Sequence, residues 1–584
     1  MPAPPITDGR EFALNYTAYL FEARSIQSYI LDGGRLADQV AASNLVDALC
    51  RDPLKAALEV LGIHDVSLEG RLPGDGEVTF PRCAGGAFYS VFGGDDAHQN
   101  ANRLRNLWGI AAAAYCPGLE FVHALADGDS PMDAVTQGTV KLVQARNRPP
   151  AQFPETPPLA RRAPRTGRPA ILNDRLPENA REWSDMATVR KRRARNGQRQ
   201  PFKLASGLTD RFLPEAQRAH YEWPRNLEPN QGPQDADDRN FPFLPDNAYV
   251  AVIHADGNGL GQALMALRTA VVGKPESYQR IFRKFSECIE QATIAAAQAA
   301  TLAVLKPKAR EIASTPATSH QEDAIKVMPA RPIVLGGDDL TIIVRADLAL
   351  PFTVAFLKAF EGCSKVAMEP LCNEIKSLEP GLTACAGVVF IKASQPFRQA
   401  NHLAEELCAR AKRASDAALK SSGGGNGTKP SSLAFTRITT SVLDETVREV
   451  ELEGGVRGRL GATAYFIGDY CPTASPRWDD LDSMAKLLAK EGMARGPTRQ
   501  LLSLLQSPPD AIKRYRRWRE VLQGDKDMRG QLDEFNRLLA KFGNPDSNLP
   551  FVSLGEAFYT PISDALALRA VGSVEVAQTE ESHV

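Results

Sequence analysis

The chain lacks paired cysteines. Its nine cysteines are odd in number and scattered, with no Cys-x-x-Cys among them, which excludes a disulfide framework and a zinc ribbon. It lacks an uninterrupted apolar run of 18 residues, and its N-terminus lacks a charged-then-apolar signal layout, so no membrane partner is expected and the expected compartment is a reducing cytoplasm. It lacks net charge: 69 Lys and Arg against 70 Asp and Glu leave −1. That excludes a uniformly basic nucleic-acid coat, though not a local basic groove. What remains is a globular composition, 43% hydrophobic and 24% charged. At 584 residues it is too long for one core and suggests about four domains.

The most informative segment is Pro332 to Val344, where two β-branched apolar runs flank Gly336-Gly337-Asp338-Asp339. Such runs read as strands and the glycines as the turn between them, placing two carboxylates at a hairpin tip. Magnesium takes hard oxygen ligands and accepts one or two protein carboxylates with phosphates filling the rest. Glycine lets a bulky substrate approach the backbone. An ordinary hairpin turn uses the same residue types, so the tetrapeptide by itself is ambiguous. The chain contains a control. Gly93-Gly94-Asp95-Asp96 repeats the letters, yet no second apolar strand follows it. That copy reads as a loop entering a helix near residues 102–113, with Asp95 or Asp96 as its cap.

Context distinguishes the two copies. Ala248 to Asp256 reads as a buried strand ending in Asp256-Gly257-Asn258-Gly259-Leu260-Gly261, and a helix follows. Asp256 can supply a third metal ligand, and the amides of Asn258, Gly259 and Leu260 near a helix start can cradle phosphates. Leu382 to Ile391 is a further strand, leading to a helix over 397–419 that carries Lys412. Lys412 either meets a triphosphate or is a solvated lysine complementing the helix dipole. The order strand, helix, hairpin, helix, strand, helix is the βαββαβ arrangement of ferredoxin-like palm domains.

On these residues the chain resembles the large polymerase and cyclase subunit family of type III CRISPR effector complexes, whose palm is related to the GGDEF nucleotide cyclases. The resemblance is carried by Asp256–Gly261, Gly336–Leu340, Thr383–Gly387, Pro396 and Ala404–Lys412, and is specific over about residues 246–435. It extends to the N-terminus through Ala18–Ile30 and Leu36–Leu49. There Ala84-Gly85-Gly86-Ala87-Phe88 occupies the hairpin position without acids, as in the family's degenerate first palm, with Ala87 and Phe88 standing where acids would be. Members often begin with an HD nuclease domain and carry cysteine pairs between the palms. Here the first palm begins near residue 12, the single His-Asp dipeptide is His64-Asp65, and Ala163–Ala170 has the flavour of a zinc knuckle without cysteines. Neither DNase activity nor zinc is expected.

The expected fold is α+β with two ferredoxin-like palms: residues 1–126 a degenerate first palm, 127–245 a Pro- and Arg-rich inter-palm region, 246–436 the catalytic palm, and 437–584 a mainly helical bundle. The inter-palm run Arg190–Arg195 can bind phosphates or be a solvated connection. Arg514, Arg516, Arg517 and Arg519 around Tyr515 and Trp518 can touch RNA or form a basic surface on a packed helix. The resemblance implies a nucleotidyltransferase or cyclase acting on ATP, releasing pyrophosphate and making a cyclic oligoadenylate. Asp256, Asp338 and Asp339, with Gly257 beside them, would hold Mg2+ or Mn2+. Gly336, Gly337, Lys412 and the Gly257–Leu260 loop would bind nucleotide. Its partners would be guide and target RNA and other CRISPR effector subunits. Two other classes stay open: a free-standing, homo-oligomeric cyclase without guide RNA, and a non-catalytic scaffold.

Overall fold

The computed structural model describes residues 16–32, 36–148, 156–175, 181–195, 208–224, 249–311, 326–393, 395–421, 428–438, 449–452, 456–461, 464–471, 475–490, 511–543, 551–554 and 557–572. The glycine-rich stretch Gly423–Gly427, where the sequence predicts a turn, Leu501–Leu505, whose spacing predicts a helix, and the Arg514 side chain fall outside them. The architecture is mixed α+β. The chain divides into two compact units: Met1–Leu208 with Gly261–Gln291 and Met368–Leu378, and Thr209–Leu260 with Ala292–Ala367 and Glu379–Val584.

The first unit is built on β1 (Tyr16–Arg24), β2 (His64–Asp65), β3 (Glu77–Ala84), β4 (Ala87–Phe92) and β5 (Glu120–Gly128), in sheet order β2-β3-β4-β1-β5. Helices α1 (Ile26–Leu31), α2 (Leu36–Leu49) and α3 (Asp52–Leu61) follow β1, α4 (Ala97–Tyr115) follows β4, and α5 (Pro131–Arg146) follows β5. Central β1 runs antiparallel to both β4 and β5. Its apolar run is buried because both faces are covered, and Phe21, Phe88 and Trp108 interlock at centroid distances of 5.4–5.6 Å. Large rings dominate such cores. The Gly93–Asp96 copy enters α4 as expected, with Asp96 at the N-cap position, but its side chain makes no capping hydrogen bond. His64 and Asp65 are exposed on β2.

After α5 the first unit continues with a hairpin, β6 (Leu172–Arg175) with β7 (Arg181–Ser184), and α6 (Met186–Arg195). Around Pro164 the backbone folds back on itself: the Ala163 amide donates to the Arg168 carbonyl and the Gly167 amide to the Ala163 carbonyl, both at 2.8 Å. Asp185 ties this turn down. Its carboxylate accepts from the hydroxyls of Thr166 (2.7 Å) and Thr188 (2.8 Å) and from the amides of Ala187 and Thr188. The basic run of α6 is largely spent inside the same unit. Arg190 donates to the Tyr115 carbonyl, Lys191 to those of Tyr29 and Asp32, and Arg192 pairs with Asp38 and Glu182.

The second unit contains β8 (Tyr221–Glu222), β9 (Tyr249–Gly257), β10 (Arg310–Glu311), β11 (Lys326–Val327), β12 (Ala330–Gly336), β13 (Asp339–Arg345), β14 (Ala384–Lys392) and β15 (Ser431–Arg437). Further along come β16 (Glu449–Leu452), β17 (Val456–Leu460), β18 (Tyr465–Ile467), β19 (Val552–Leu554) and β20 (Ala557–Thr560). Its main sheet has the order β12-β13-β9-β14-β15-β18, with β9 antiparallel to β13 and β14. In the chain, α7 (Leu260–Ala270) and α8 (Pro275–Ala300) lie between β9 and the hairpin. α9 (Ala346–Glu374) follows β13 and α10 (Phe397–Ser421) follows β14. Eight of the nine residues of β14 are buried, as expected for a strand covered on both faces. Ser277–Lys308, which includes most of α8, is long and apolar enough to cross a membrane by length and composition alone. Half of its most apolar window is buried, and core helices pass the same test.

The C-terminal region carries strands beside the helices expected there. α11 (Trp478–Ala489), α12 (Ala511–Gly524), α13 (Lys526–Lys541) and α14 (Ile562–Ala570) are present, but so is a four-stranded sheet in the order β16-β17-β20-β19. These strands are three to five residues long, and β17 pairs with β20 about a hundred residues later, Gly458 opposite Phe558. Strands so short and so distant carry little periodicity. On α12, Tyr515 and Trp518 stack in the core at 5.6 Å, and Arg516 and Arg517 are exposed.

Candidate active site

The β12–β13 hairpin closes on two residues, Gly337 and Asp338, because Gly336 and Asp339 are directly paired. Gly337 has φ +59°, the left-handed region that costs glycine little. Asp256 stands near the end of β9, one step beyond the Ala255–Leu340 pair, so Asp339 is its neighbour across the ladder. Opposed residues of antiparallel strands project to the same face. Asp338 completes the group from the turn. Ligand oxygens of Asp256, Asp338 and Asp339 all lie within 4.8 Å of one another, the only such His, Cys, Asp and Glu group among the described residues.

Three half-buried carboxylates so close together repel one another. Burial, then Asp256, pushes Asp338 up to about 7. Burial, then Asp338 and Asp256, holds Asp339 well above the usual carboxylate range. At Asp256 burial pushes upward, but the Lys412 ammonium together with hydrogen bonds from Asp338 and Lys412 outweighs it, and the carboxyl sits below its ordinary value. Lys412 itself is raised: burial opposes its charge, and Asp256 overrides the burial. Lys412 is ion-paired with Asp256 and donates to the Gly257 carbonyl at 2.9 Å. An all-oxygen set whose protons are held by burial and mutual repulsion fits a hard dication, which offsets both.

Two glycines make this geometry possible. A Cβ at Gly257 would lie 2.9 Å from Asp338 Cβ and Oδ2. A Cβ at Gly387 on β14 would lie 2.0 Å from the Ala404 carbonyl oxygen of α10. The helix therefore rests directly on the strand, and that close approach brings Lys412 to Asp256. Asn258 does not act as expected. Its amide donates to the Thr383 carbonyl at 2.7 Å, and its side chain donates to Thr383 Oγ1 (3.0 Å) and Cys385 Sγ (3.2 Å). A buried donor satisfied inside the protein is not offered to a phosphate. Asn258 is instead a strap holding the Asp256–Gly259 loop to β14. Sequence reasoning read the same Asp-Gly-Asn-Gly letters as one cradle because it could not see where the Asn258 amide points. Gly259, at φ +81°, begins the turn into α7.

The first unit holds the same frame without the acids. Glu22 on β1 faces Ala87, as Asp256 faces Asp339. The hairpin pair is Ala84–Ala87, with Gly85 and Gly86 at the tip. The residues in the acid positions are thus Gly86 and Ala87, one earlier than the sequence reading placed them, and Phe88 is core. Ser25, the one described non-glycine residue with positive φ (+49°), stands where Gly259 stands in the second unit. Glu22 pairs with Arg146, which is the sixteenth residue of α5 as Lys412 is of α10. Glu22 also accepts from Tyr89 and lies 3.7 Å from Arg82. A carboxylate already neutralised by arginine, facing alanine, is a poor metal ligand.

Residues 249–419 match the family model described as Cas10/Cmr2, second palm domain. No curated protein matches the chain. Among solved structures, the chain is similar to a Csm1–Csm4 cassette in complex with cA4, at 11% identity and TM-score 0.44, covering 96% of this chain and 70% of that one. It is also similar to the cassette in complex with cA3 (13%, 0.36, covering 70% and 55%) and with AMPPNP (12%, 0.33, covering 68% and 53%). The chain thus spans little more than half the length of some of these relatives and 70% of another. The family model falls on the segment that holds the three carboxylates and Lys412, and over residues 249–419 the chain is similar to that second palm domain.

Proposed function

We propose that the chain is a metal-dependent nucleotidyltransferase of the cyclase type. In this reading it converts ATP to a cyclic oligoadenylate in type III CRISPR defence, in the cytoplasm, with guide and target RNA and other effector subunits as partners. The observation that carries this reading is the Asp256, Asp338 and Asp339 triad, set in a segment that matches a Cas10/Cmr2 palm. The choice of ATP and of a cyclic product rests on the family resemblance. Both sheets, with four strands in the order β5-β1-β4-β3 and β14-β9-β13-β12, support two ferredoxin-like palms, residues 1–126 and 246–436, of which the second is catalytic.

One or two Mg2+ or Mn2+ ions held by Asp256, Asp338 and Asp339 would supply Lewis acidity at the α-phosphate and ease deprotonation of a ribose hydroxyl. In the reaction the ribose oxygen bonds to the α-phosphorus, the bond from that phosphorus to the bridging oxygen breaks, and pyrophosphate leaves. Lys412 steadies Asp256 and meets the triphosphate's charge. The amides of Gly259 and Leu260, in the first turn of α7, lack helical acceptors by their position and face phosphate. Gly336 and Gly337 keep the hairpin tip clear of side chains. The test is to incubate purified protein with each labelled nucleoside triphosphate and Mg2+ or Mn2+, with and without RNA, and to resolve the products. Co-purifying RNA and small effector subunits support the CRISPR assignment; product from a pure homo-oligomer without RNA supports a free-standing cyclase instead.

A further inference from the structure

We propose that Thr293 is a positioning residue that selects the turn form of the Gly336–Asp339 hairpin and thereby aims Asp338. The proposal rests on the reading of that hairpin as a metal centre. Thr293 lies on α8, outside every motif in the sequence, and is 1% exposed. Its Oγ1 donates to the Gly337 carbonyl at 2.7 Å. Gly337 has positive φ while Asp338 keeps a negative one, the pattern of a type II′ turn with glycine at the first central position. The alternative two-residue turn, type I′, has positive φ at both central residues. The two forms differ by a flip of the central peptide. That is the Gly337–Asp338 peptide, whose carbonyl Thr293 holds.

Aspartate tolerates the left-handed region better than most residues, so residue choice alone does not exclude the flip. The first unit supplies the comparison. Its equivalent hairpin has Gly85 at φ +63° and Gly86 at +73°, the I′ pattern, and has no acid to aim. A flip at Gly337–Asp338 moves the Asp338 amide nitrogen and tilts the Asp338 Cα–Cβ bond relative to Asp256 and Asp339. The same helix braces the hairpin's outer strand again. Gln298 donates to the Arg211 carbonyl at 3.1 Å, and Arg211 donates to the Leu335 carbonyl at 3.0 Å. β12 is the edge of its sheet, so these contacts stand where a neighbouring strand would otherwise hold it.

The test titrates Mn2+ into full-length protein and counts free Mn2+ by its electron paramagnetic resonance signal. Thr293→Val keeps the side chain's shape and removes the donor. It is expected to weaken Mn2+ binding about five- to tenfold, the worth of one hydrogen bond, and Thr293→Ser is expected to restore binding to within about twofold of wild type. Gly337→Asn keeps the Thr293 hydroxyl but favours the I′ form. It is expected to weaken binding likewise, and it supplies the readout if Thr293→Val does not fold. Wild-type affinity in both Thr293→Val and Gly337→Asn, alongside lost binding in Asp338→Ala, overturns this proposal and leaves the metal centre standing. No Mn2+ binding by the wild type overturns both.

Discussion

Lys412 holds Asp256 in an ion pair while donating to the carbonyl of the next residue, Gly257, at 2.9 Å. One ammonium therefore spans the side chain of a proposed metal ligand and the backbone of its loop. The pair also sets up a competition, because a dication and the ammonium both seek the Asp256 carboxylate. Replacing Lys412 by Met is expected to tighten Mn2+ binding about threefold while lowering turnover about 100-fold, since a positioned cation on transferring phosphates is lost. Parallel Mn2+ titration and product assays check it, and unchanged turnover would contradict the role of Lys412.

The crowded carboxylates predict a pH dependence. Asp338 sits at about 7 against an ordinary 3.8. A raised carboxyl favours its protonated form in the folded state, so that contribution to stability is full below about 4 and is lost as pH rises through about 7. The metal displaces that proton. Mn2+ affinity is therefore expected to rise with pH, by up to about tenfold per pH unit between pH 5 and 7 for the Asp338 proton, and the raised Asp339 carboxyl adds to that rise. The Mg2+-induced rise in melting temperature is expected to be larger at pH 8 than at pH 6. Equal shifts at both would contradict the coupling.

Close backbone approach predicts intolerance at Gly387. Its added Cβ would sit 2.0 Å from the Ala404 carbonyl oxygen, so Gly387→Ala has to push α10 off β14. A stability loss of about 1–3 kcal/mol is expected from overpacking, with turnover falling more than stability because Lys412 moves with the helix. Denaturant unfolding and product assays on one preparation separate the two effects.

The Asp185 node predicts a purely structural effect. Asp185 is 3% exposed and accepts from two hydroxyls and two amides. Asp185→Ala leaves those donors unpaired, at about 1–3 kcal/mol. Chemical denaturation should record the loss, while Mn2+ affinity stays at wild type.

What was legible in the sequence was whatever local context carries. The two Gly-Gly-Asp-Asp copies separated correctly by flanking strands: Asp95 and Asp96 precede α4, and Asp338 and Asp339 join Asp256. Lys412 was legible as a cation on the right helix, but its attachment to Asp256 was not. The basic run at 190–195 read as a phosphate binder or a solvated connection because sequence shows charge and hides partners; of the two carboxylates that neutralise Arg192, Asp38 is 154 residues away and Glu182 gives no sign of the pairing. Thr293 left no signal, and Gly387, though inside the Thr383–Gly387 segment, gave no sign of its packing, since each matters through one atom's distance to a distant backbone carbonyl. The strands β16, β17, β19 and β20 were missed for the same reason, their pairing being long-range.

Replacing Asp338 and Asp339 together by alanine, and following labelled ATP with Mg2+ or Mn2+ in the presence and absence of RNA, bears most directly on the metal centre. The wild type is expected to release pyrophosphate and form a cyclic oligoadenylate. The double variant is expected to form none while keeping the wild-type circular dichroism spectrum, and an Asp95→Ala, Asp96→Ala control should keep full turnover. Undiminished product from the Asp338, Asp339 variant would contradict the assignment of catalysis to this hairpin.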